Sequence, residues 1–474
     1  MRLDPTRILS QLRATYWFVP SCMVAIAIVL AFVMPWVDER YSIDPSGSFG
    51  WLGQTQTDGA RAVLGAIAGS IIGVAGTTFS ITMVAVSFAS ANFGPRLIAN
   101  FMRDRGNQIT LGTFIATFVY CLLVLRRVHN AAGDGGDISY GAFVPHFSVI
   151  VALTLALASV GVLIYFIHHV PETINIDRLV AQIGHELRRG VTELFPDTDA
   201  IDDENAAETI ALAWRERIDD RPALSVCAAA SGFVQRIDLK RLAELTDAHA
   251  LLVRVQYRPG DFVTEGDIAF EVWHQDPPTV QERHAASLEK TLRATLHDCL
   301  ETGYQRTPHQ NCLFLVEQLV EVIGRAMSPG INDPFTAITC LNWLKGALVE
   351  FVERDARPSQ PPRDAAVRVH PITFERLVAT AFDQTRQYVC SDRDVAMHAM
   401  TVLAEIAVRT SDADHRDTLR RRMDALRTAS ATALAAEVGG DDVARRHADA
   451  ARLLDDPQAR RSHRDGPGWF GGSG

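Results

Sequence analysis

The sequence predicts a mainly α membrane protein: four transmembrane helices, followed by an α-rich cytosolic domain that contains a small β module. Three observations lead there. Charge is segregated along the 474 residues: positions 1–170 hold ten Arg, no Lys and eight Asp or Glu, a net of +2, whereas positions 171–474 sum to −12. The first third contains four uncharged stretches long enough to cross a hydrocarbon core, which takes roughly 20 apolar residues. Within the remainder, residues 223–273 leave helical periodicity for strand-like runs between Gly-centred turns. An apolar content of 47% excludes a mostly disordered chain, and the acidic remainder argues against a nucleic-acid partner. The boundaries expected are a transmembrane domain over 1–170, a helical connector over 171–220, the β module over 221–275 and a helical cytosolic domain over 276–456. A patternless, Gly-containing tail over 457–474 is expected to be disordered.

The first span, Trp17–Val37, is flanked by Tyr16, Trp17 and Trp36, side chains that favour the membrane interface. It is too long for a secretory signal and lacks a small-residue cleavage site. The second is Ala62–Pro95, the third Ile109–Leu125 and the fourth about 147–167. No Asp, Glu, Lys or Arg falls inside these stretches, which argues against a proton-coupled transporter. Arg2, Arg7, Arg13, Arg96, Arg103, Arg105, Arg178, Arg188 and Arg189 flank the spans on one side, and Arg40, Arg61, Arg126 and Arg127 on the other. Nine against four places both termini in the cytoplasm by the positive-inside rule, and an even number of spans agrees.

The second span carries the functional signal. Gly65, Gly69, Gly73, Gly76 and Thr77, then Ser80 and Ser87, recur at helical spacing on one face, with Thr78 and Thr82 beside them. Small residues so spaced let helix backbones approach closely in a membrane. One reading packs this face against the other spans of the same chain. The other rings several copies of the helix round an axis, so that Gly69, Gly73, Gly76, Thr77, Ser80 and Ser87 line a narrow hydroxyl-bearing pore. A 34-residue span exceeds a ~30 Å core, so the helix is expected to tilt, to break near Gly73–Gly76 or to project from the bilayer. Gly94-Pro95 should end it, and residues 96–105 read as a short interfacial helix. Around a pore, Arg96, Arg103 and Arg105 would form a positive ring at the cytoplasmic mouth and favour anions.

The run from Thr78 to Arg96 (TFSITMVAVSFASANFGPR), Asn100 to Arg105 (NFMRDR) and Gln108 to Gly112 (QITLG) resembles the bacterial membrane family catalogued as domain of unknown function 2254. Met327 to Ala337 (MSPGINDPFTA), with Arg306, Thr307 and Gln310 upstream, looks like its second hallmark. The resemblance covers roughly residues 10–410. It implies an integral membrane protein with a cytosolic domain, and it supplies no activity; the expected location is the bacterial inner membrane.

His168-His169 end the fourth span; neighbouring side chains on a helix diverge, so they make a poor shared metal site. A helix over about 174–194 and an acidic linker over 196–205 follow. Strands are expected at 229–237, 251–257 and 268–273, with a short helix at 239–245 and Gly260 and Gly266 in turns. The turn pattern GDFVTEGD from Gly260 to Asp267 resembles that of barrel-sandwich carrier domains. Their modified lysine has no counterpart here, because Lys240 stands in no such hairpin, so the likeness implies fold and not carrier chemistry.

From residue 279 onward the chain is helical by periodicity, at roughly 279–302, 308–326, 334–353, 372–390, 393–410, 412–437 and 441–454. Thr307-Pro308 and Asp333-Pro334 each set a capping side chain before a proline at the first helical position. The turn SPGINDPF, Ser328 to Phe335, is thus at minimum a tight connection between helices. Asn332 is not required by that account; it is a candidate, with Arg306, His309, Gln310 and Asp333, to converge on a ligand or a partner subunit. The seven scattered cysteines contain no C-x-x-C pair, and no Walker A, G-x-G-x-x-G, H-E-x-x-H or G-x-S-x-G motif occurs. The expectation is a non-enzymatic protein without metal or cofactor. Its expected role is a homo-oligomeric channel lined by the second span and gated by the cytosolic domain; the alternative is a non-conducting membrane-anchored sensor or scaffold.

Overall fold

The computed structural model describes residues 17–40, 57–93, 104–128, 144–194, 204–217, 221–275, 286–355, 366–435 and 439–465. The chain divides into two compact units, Met1–Leu179 and Val180–Gly474. Among the described residues it is mostly helical, with two small sheets, and five of the helices are long and apolar enough to cross a membrane by length and composition.

Unit 1 is built from α1 (Phe18–Arg40), α2 (Thr57–Phe93), α3 (Arg105–Leu125) and α4 (His146–Ile174). α3 packs against the other three, and 61% of its apolar window is buried, so it forms the centre of the unit. Small residues make that possible. Ala27 and Ala31 of α1, Ala60 and Ala68 of α2 and Ala116 of α3 line the seams around Tyr120, Cys121 and Val124. At Gly112 the backbones nearly touch: a Cβ there would lie 3.1 Å from Pro20 Cα. α2 runs unbroken for 37 residues, roughly 55 Å at 1.5 Å per residue, so of the three expected accommodations the break near Gly73–Gly76 does not occur. That stretch holds no proline to interrupt the i→i−4 ladder.

Unit 2 takes in most of α5 (Ile176–Leu194), then α6 (Glu204–Arg217), and next a β region. Its elements are β1 (Leu224–Cys227), β2 (Gly232–Ile237), α7 (Leu239–His249), β3 (Leu251–Val255), β4 (Phe262–Val263) and β5 (Ile268–His274). Two strands arrive from beyond residue 275. β6 (Leu300–Gly303) follows α8 (Ala286–Cys299), where one long helix was expected, and β7 (Val367–Val369) follows later in the chain. The sheets are β1-β5-β3-β7, with β3 and β7 parallel, and β4-β2-β6. The β region therefore overruns the 221–275 boundary, because strands of three or four residues are too short to show a period. Their shared core is Val234, Ile237, Val253, Val255, Phe270 and Val272, joined by Leu292 and Leu296 of α8.

Both expected glycine turns are present, with φ of +98° at Gly260 and +93° at Gly266. Asp261 and Asp267 close them by accepting from the N–H groups of Arg258 (2.9 Å) and Thr264 (3.0 Å). Gly260 is doubly constrained, since an added Cβ would also run into the Asn311 amide. Gly260→Ala should lower unit 2 stability by about 2–3 kcal/mol, through left-handed strain and loss of the Asn311 position. Gly266→Ala, which meets nothing within 4 Å, should cost only the smaller backbone part; paired thermal melts check the order.

The helices of unit 2 continue with α9 (Cys312–Ala326), α10 (Pro334–Asp355), α11 (Phe374–Val378), α12 (Arg386–Val389), α13 (Arg393–Arg409), α14 (Ala413–Ala433), α15 (Gly439–Asp455) and α16 (Pro457–Asp465). α9 begins four residues later than Pro308, and its cap is Asn311, which accepts from Phe314 N–H (3.0 Å). The Thr307 hydroxyl instead donates to the Gln235 carbonyl (3.3 Å). A π-turn over Ala379–Asp383 separates α11 from α12, so the helix expected over 372–390 is not continuous. Residues 457–465, expected to be disordered, form α16, because Asp456 accepts from Gln458 N–H (2.8 Å) ahead of Pro457.

α10 is the least apolar of the five long helices and is laced to its neighbours by charge. Lys345 pairs with Glu405 (2.9 Å), Arg188 with Glu350 (3.1 Å) and Arg409 with Glu353 (3.0 Å). Beside Lys345, burial and then the lysine charge push His398 down to about 4, while Asn342 Oδ1 meets its Nε2 at 2.9 Å. Unfolded, the ring titrates near 6.5. Between those values the unfolded chain binds a proton that the folded chain refuses, so this contribution is intact above about pH 6.5 and is lost as pH falls toward 4. The loss should be of order 1–2 kcal/mol, below the full linkage value because water reaches the ring. His398→Gln, measured beside the parent at pH 7.5 and pH 5, should show the smaller drop in Tm.

Candidate functional site

The face of α2 singled out by its spacing points away from the other described helices of unit 1. Ala60, Leu64, Ala68, Ile71, Ala75, Thr78 and Thr82 are buried against the neighbouring helices. Gly65, Gly69, Gly73, Gly76, Thr77, Ser80 and Ser87 lie on the opposite side and are exposed. A Cβ added at any of those four glycines meets nothing within 4 Å. The packing of this face against other spans of the same chain, expected above as one reading, therefore does not occur among the described residues. Thr77 Oγ1 donates to the Gly73 carbonyl (3.1 Å), closing its hydroxyl on its own helix. Bulkier apolar side chains, Ile72, Phe79 and Ile81, flank the stripe and are exposed as well, and the exposed Val84 falls on it between Ser80 and Ser87.

Arg96 and Arg103, and with them the short helix expected over 96–105, lie outside the described residues. Arg105 is exposed and opens α3. Just before it, Asp104 accepts from Asn107 N–H (3.0 Å) and meets His169 Nε2 at 2.9 Å, while the His169 ring stacks on Tyr165 with centroids 4.9 Å apart. His169 is thus an anchor between α4 and the start of α3. Among the described residues, no three His, Cys, Asp or Glu side chains gather as a metal site.

The interior of unit 1 holds a polar site that the apolar stretches concealed. α1 extends to Arg40, past Val37, and so carries Asp38, only 7% exposed. Its carboxylate accepts from Phe147 N–H (2.7 Å), Ser148 N–H (3.0 Å) and the Ser148 hydroxyl (2.6 Å). α4 opens behind Pro145, which has no side-chain acceptor, so its first orphan N–H groups are capped from another helix. Tyr120 donates to the Ser148 carbonyl (3.1 Å), and Thr117 meets Ser159 (3.1 Å), extending the polar line along α3. Asp38 lies one residue past the uncharged stretch Trp17–Val37, on the same helix. The missing cap at Pro145 was the one signal in the sequence.

In unit 2 the candidate ligand residues fall into two groups. Arg306 Nε donates to the Gly260 carbonyl (2.9 Å), and its Nη1 pairs with Glu317. Gln310, at φ +54°, takes the place of a strand neighbour: Oε1 accepts from Ile237 N–H (3.0 Å), and Nε2 donates to the Ile237 carbonyl (3.2 Å). His309 is exposed beside it. Beyond the far end of α9, Asp333 caps α10 by accepting from Thr336 N–H (3.1 Å) and its hydroxyl (2.6 Å). Asn332 sits at φ +49°, where Asn is among the few side chains tolerated, and its N–H donates to the Ser328 carbonyl (2.9 Å). The 15 residues of α9, roughly 22 Å, separate the groups, so the structure does not bring them together on a ligand. Architecture accounts for Arg306, Gln310, Asn332 and Asp333.

Comparison with known proteins agrees with the membrane character of unit 1. The family profile described as "Predicted membrane protein (DUF2254)" matches residues 13–405. An uncharacterized protein of Mycobacterium bovis is 29% identical over 416 residues, 86% of this chain and 75% of the relative. An uncharacterized protein of Mycobacterium tuberculosis is similar to the same extent. No solved structure matches the chain.

Proposed function

Since the chain belongs to the DUF2254 family of predicted membrane proteins, we propose that it is a homo-oligomeric ion channel lined by α2 and gated by unit 2. The surroundings of its apolar helices are lipid. α1 to α4 are the four spans of this reading, in the bacterial inner membrane with both termini in the cytoplasm, as the arginine count favours. α10 stays out of the bilayer, because its ion pairs to Arg188, Glu405 and Arg409 would be expensive there.

One observation carries the proposal: among the described residues, nothing in its own chain packs on the glycine stripe of α2. Gly is a poor helix former, roughly 1 kcal/mol worse than Ala, and a lipid-facing stripe of four gains nothing to offset that. A second copy packed against it does, through close backbone contact. Arg96, Arg103 and Arg105, beyond the end of this helix, would make the path prefer anions.

A second reading is favoured by the Thr77 hydroxyl bonded to Gly73, which leaves less hydrogen-bonding capacity for a wet pore. In it the oligomer is a dry anchor, and unit 2 acts as sensor or scaffold. Neither reading assigns a catalytic residue. Planar-bilayer recording decides between them. Discrete currents with an anion-selective reversal potential, altered in a Gly73→Leu variant that still assembles, support the channel. Silence across voltage, tension and ionic conditions, with the oligomer intact, supports the anchor.

A further inference from the structure

The outer face of the β1-β5-β3-β7 sheet holds two arginines side by side. Arg254 of β3 and Arg368 of β7 are register partners on parallel strands, so their backbones lie about 4.8 Å apart. Their neighbours Val253, Val255, Val367 and Val369 point into or pack against the inner core, which fixes the arginines on the other side. There Trp214 of α6 and Trp273 of β5, both almost fully buried, form a floor with ring centroids 5.7 Å apart. Arg254 lies 4.8 Å from the Trp273 centroid and Arg368 4.4 Å from that of Trp214.

Stacking holds each guanidinium in place without using its N–H donors. Charge is not balanced locally. Glu271, opposite Arg254 in register, lies 3.4 Å from Arg254 Nε, yet that buried nitrogen makes no hydrogen bond, and Gln256 donates to the same carboxylate oxygen. Among the described residues, no carboxylate pairs with Arg368. Burial, and then the charge on Arg254, lower its affinity for its proton. Like charges directly opposite on neighbouring strands are destabilising, so this sheet holds a repulsion that an anion would relieve.

We propose that Arg254 and Arg368 form a binding site for a phosphate monoester, borne either by a soluble metabolite or by a lipid headgroup. Two stacked guanidiniums, one of them already facing Glu271, offer paired donors and a net positive charge to a phosphate, and Arg368 is exposed enough to receive it. The site is independent of how α2 assembles and of whether the protein conducts.

The test is calorimetric titration of the full-length protein in neutral detergent at constant ionic strength, with glycerol 3-phosphate in one arm and phosphatidic acid in mixed micelles in the other. Saturable binding in either arm is expected, and the arm that saturates identifies the source. Arg368→Gln and Arg254→Gln should each weaken it about tenfold or more, and Arg368→Lys by less, since a point charge cannot match the fork. Arg368 is exposed and its charge repels Arg254, so its variants should melt no lower than the parent, which separates lost binding from lost folding. No saturable heat in either arm, or equal affinity in Arg368→Gln and the parent, overturns the proposal.

Discussion

Asp38→Ala is expected to destabilise unit 1 by about 3 kcal/mol, the largest loss expected from a polar side chain among its described residues. An ordinary N-cap is worth about 1 kcal/mol, because water takes over when the cap is removed. Here water is a poor substitute. The carboxylate is buried, and its loss would strand the N–H groups of Phe147 and Ser148 together with the Ser148 hydroxyl. The contact also ties the end of α1 to the start of α4, 109 residues later in sequence, so helix pairing weakens with the cap. Asp38→Asn, which keeps one acceptor oxygen, should fall between the two, and Ser148→Ala should lose about 1 kcal/mol. Thermal unfolding in detergent reads the series. An Asp38→Ala protein that melts with the parent would show that the cap is dispensable and that α1 and α4 are held by apolar packing alone.

Gly184→Ala should be nearly as damaging in unit 2, against the helix-propensity trend. On an exposed helix the change gains up to about 1 kcal/mol. Gly184 in α5 instead lies flat against Trp343 of α10, and an added Cβ would come within 2.7 Å of the indole Cγ and closer to its six-membered ring. The clash is with the body of the ring and not with a flexible tip. Trp343 is also held on its other contact by His185, with centroids 4.7 Å apart, so it has little room to turn. Overpacking of this kind costs about 1–3 kcal/mol, which outweighs the propensity gain. A net loss of about 2 kcal/mol in unit 2 is expected. Gly346→Ala, where the nearest atom is 3.9 Å away on an arginine side chain, serves as the control and should be neutral or stabilising. If both variants are stabilised, α5 does not pack on α10 as described.

These two positions also show where sequence reading stops. The helices of unit 1 were legible because crossing a membrane demands about 20 apolar residues, a constraint that composition alone reveals. Gly260 and Gly266 were legible because a turn at positive φ calls for glycine. Asp38 was not: its partners are distant in sequence, and it stood just past an apolar run that ended at Val37. β6 and β7 were not, since four and three residues carry no period and depend on pairing with β2 and β3. Gln310 and Asn332 drew attention as candidate ligands; the structure shows Asn332 at a positive φ that Asn tolerates and Gln310 bonded through its side chain to the Ile237 backbone. Within α2, the spacing located the stripe, and only three-dimensional packing told which way it faces.

That direction is the centre of the account, and cysteine cross-linking of the membrane-embedded protein tests it most directly. In a background lacking the exposed Cys22 and Cys227, single cysteines are placed at Gly73, at Ser80 and, as a control, at Ile81. Ile81 is also exposed but lies roughly 100° further round the helix than Ser80. A short bismaleimide should link Gly73→Cys and Ser80→Cys chains into dimers and leave Ile81→Cys monomeric. Equal linkage at all three positions, or linkage at Ile81 alone, would contradict assembly through the glycine face.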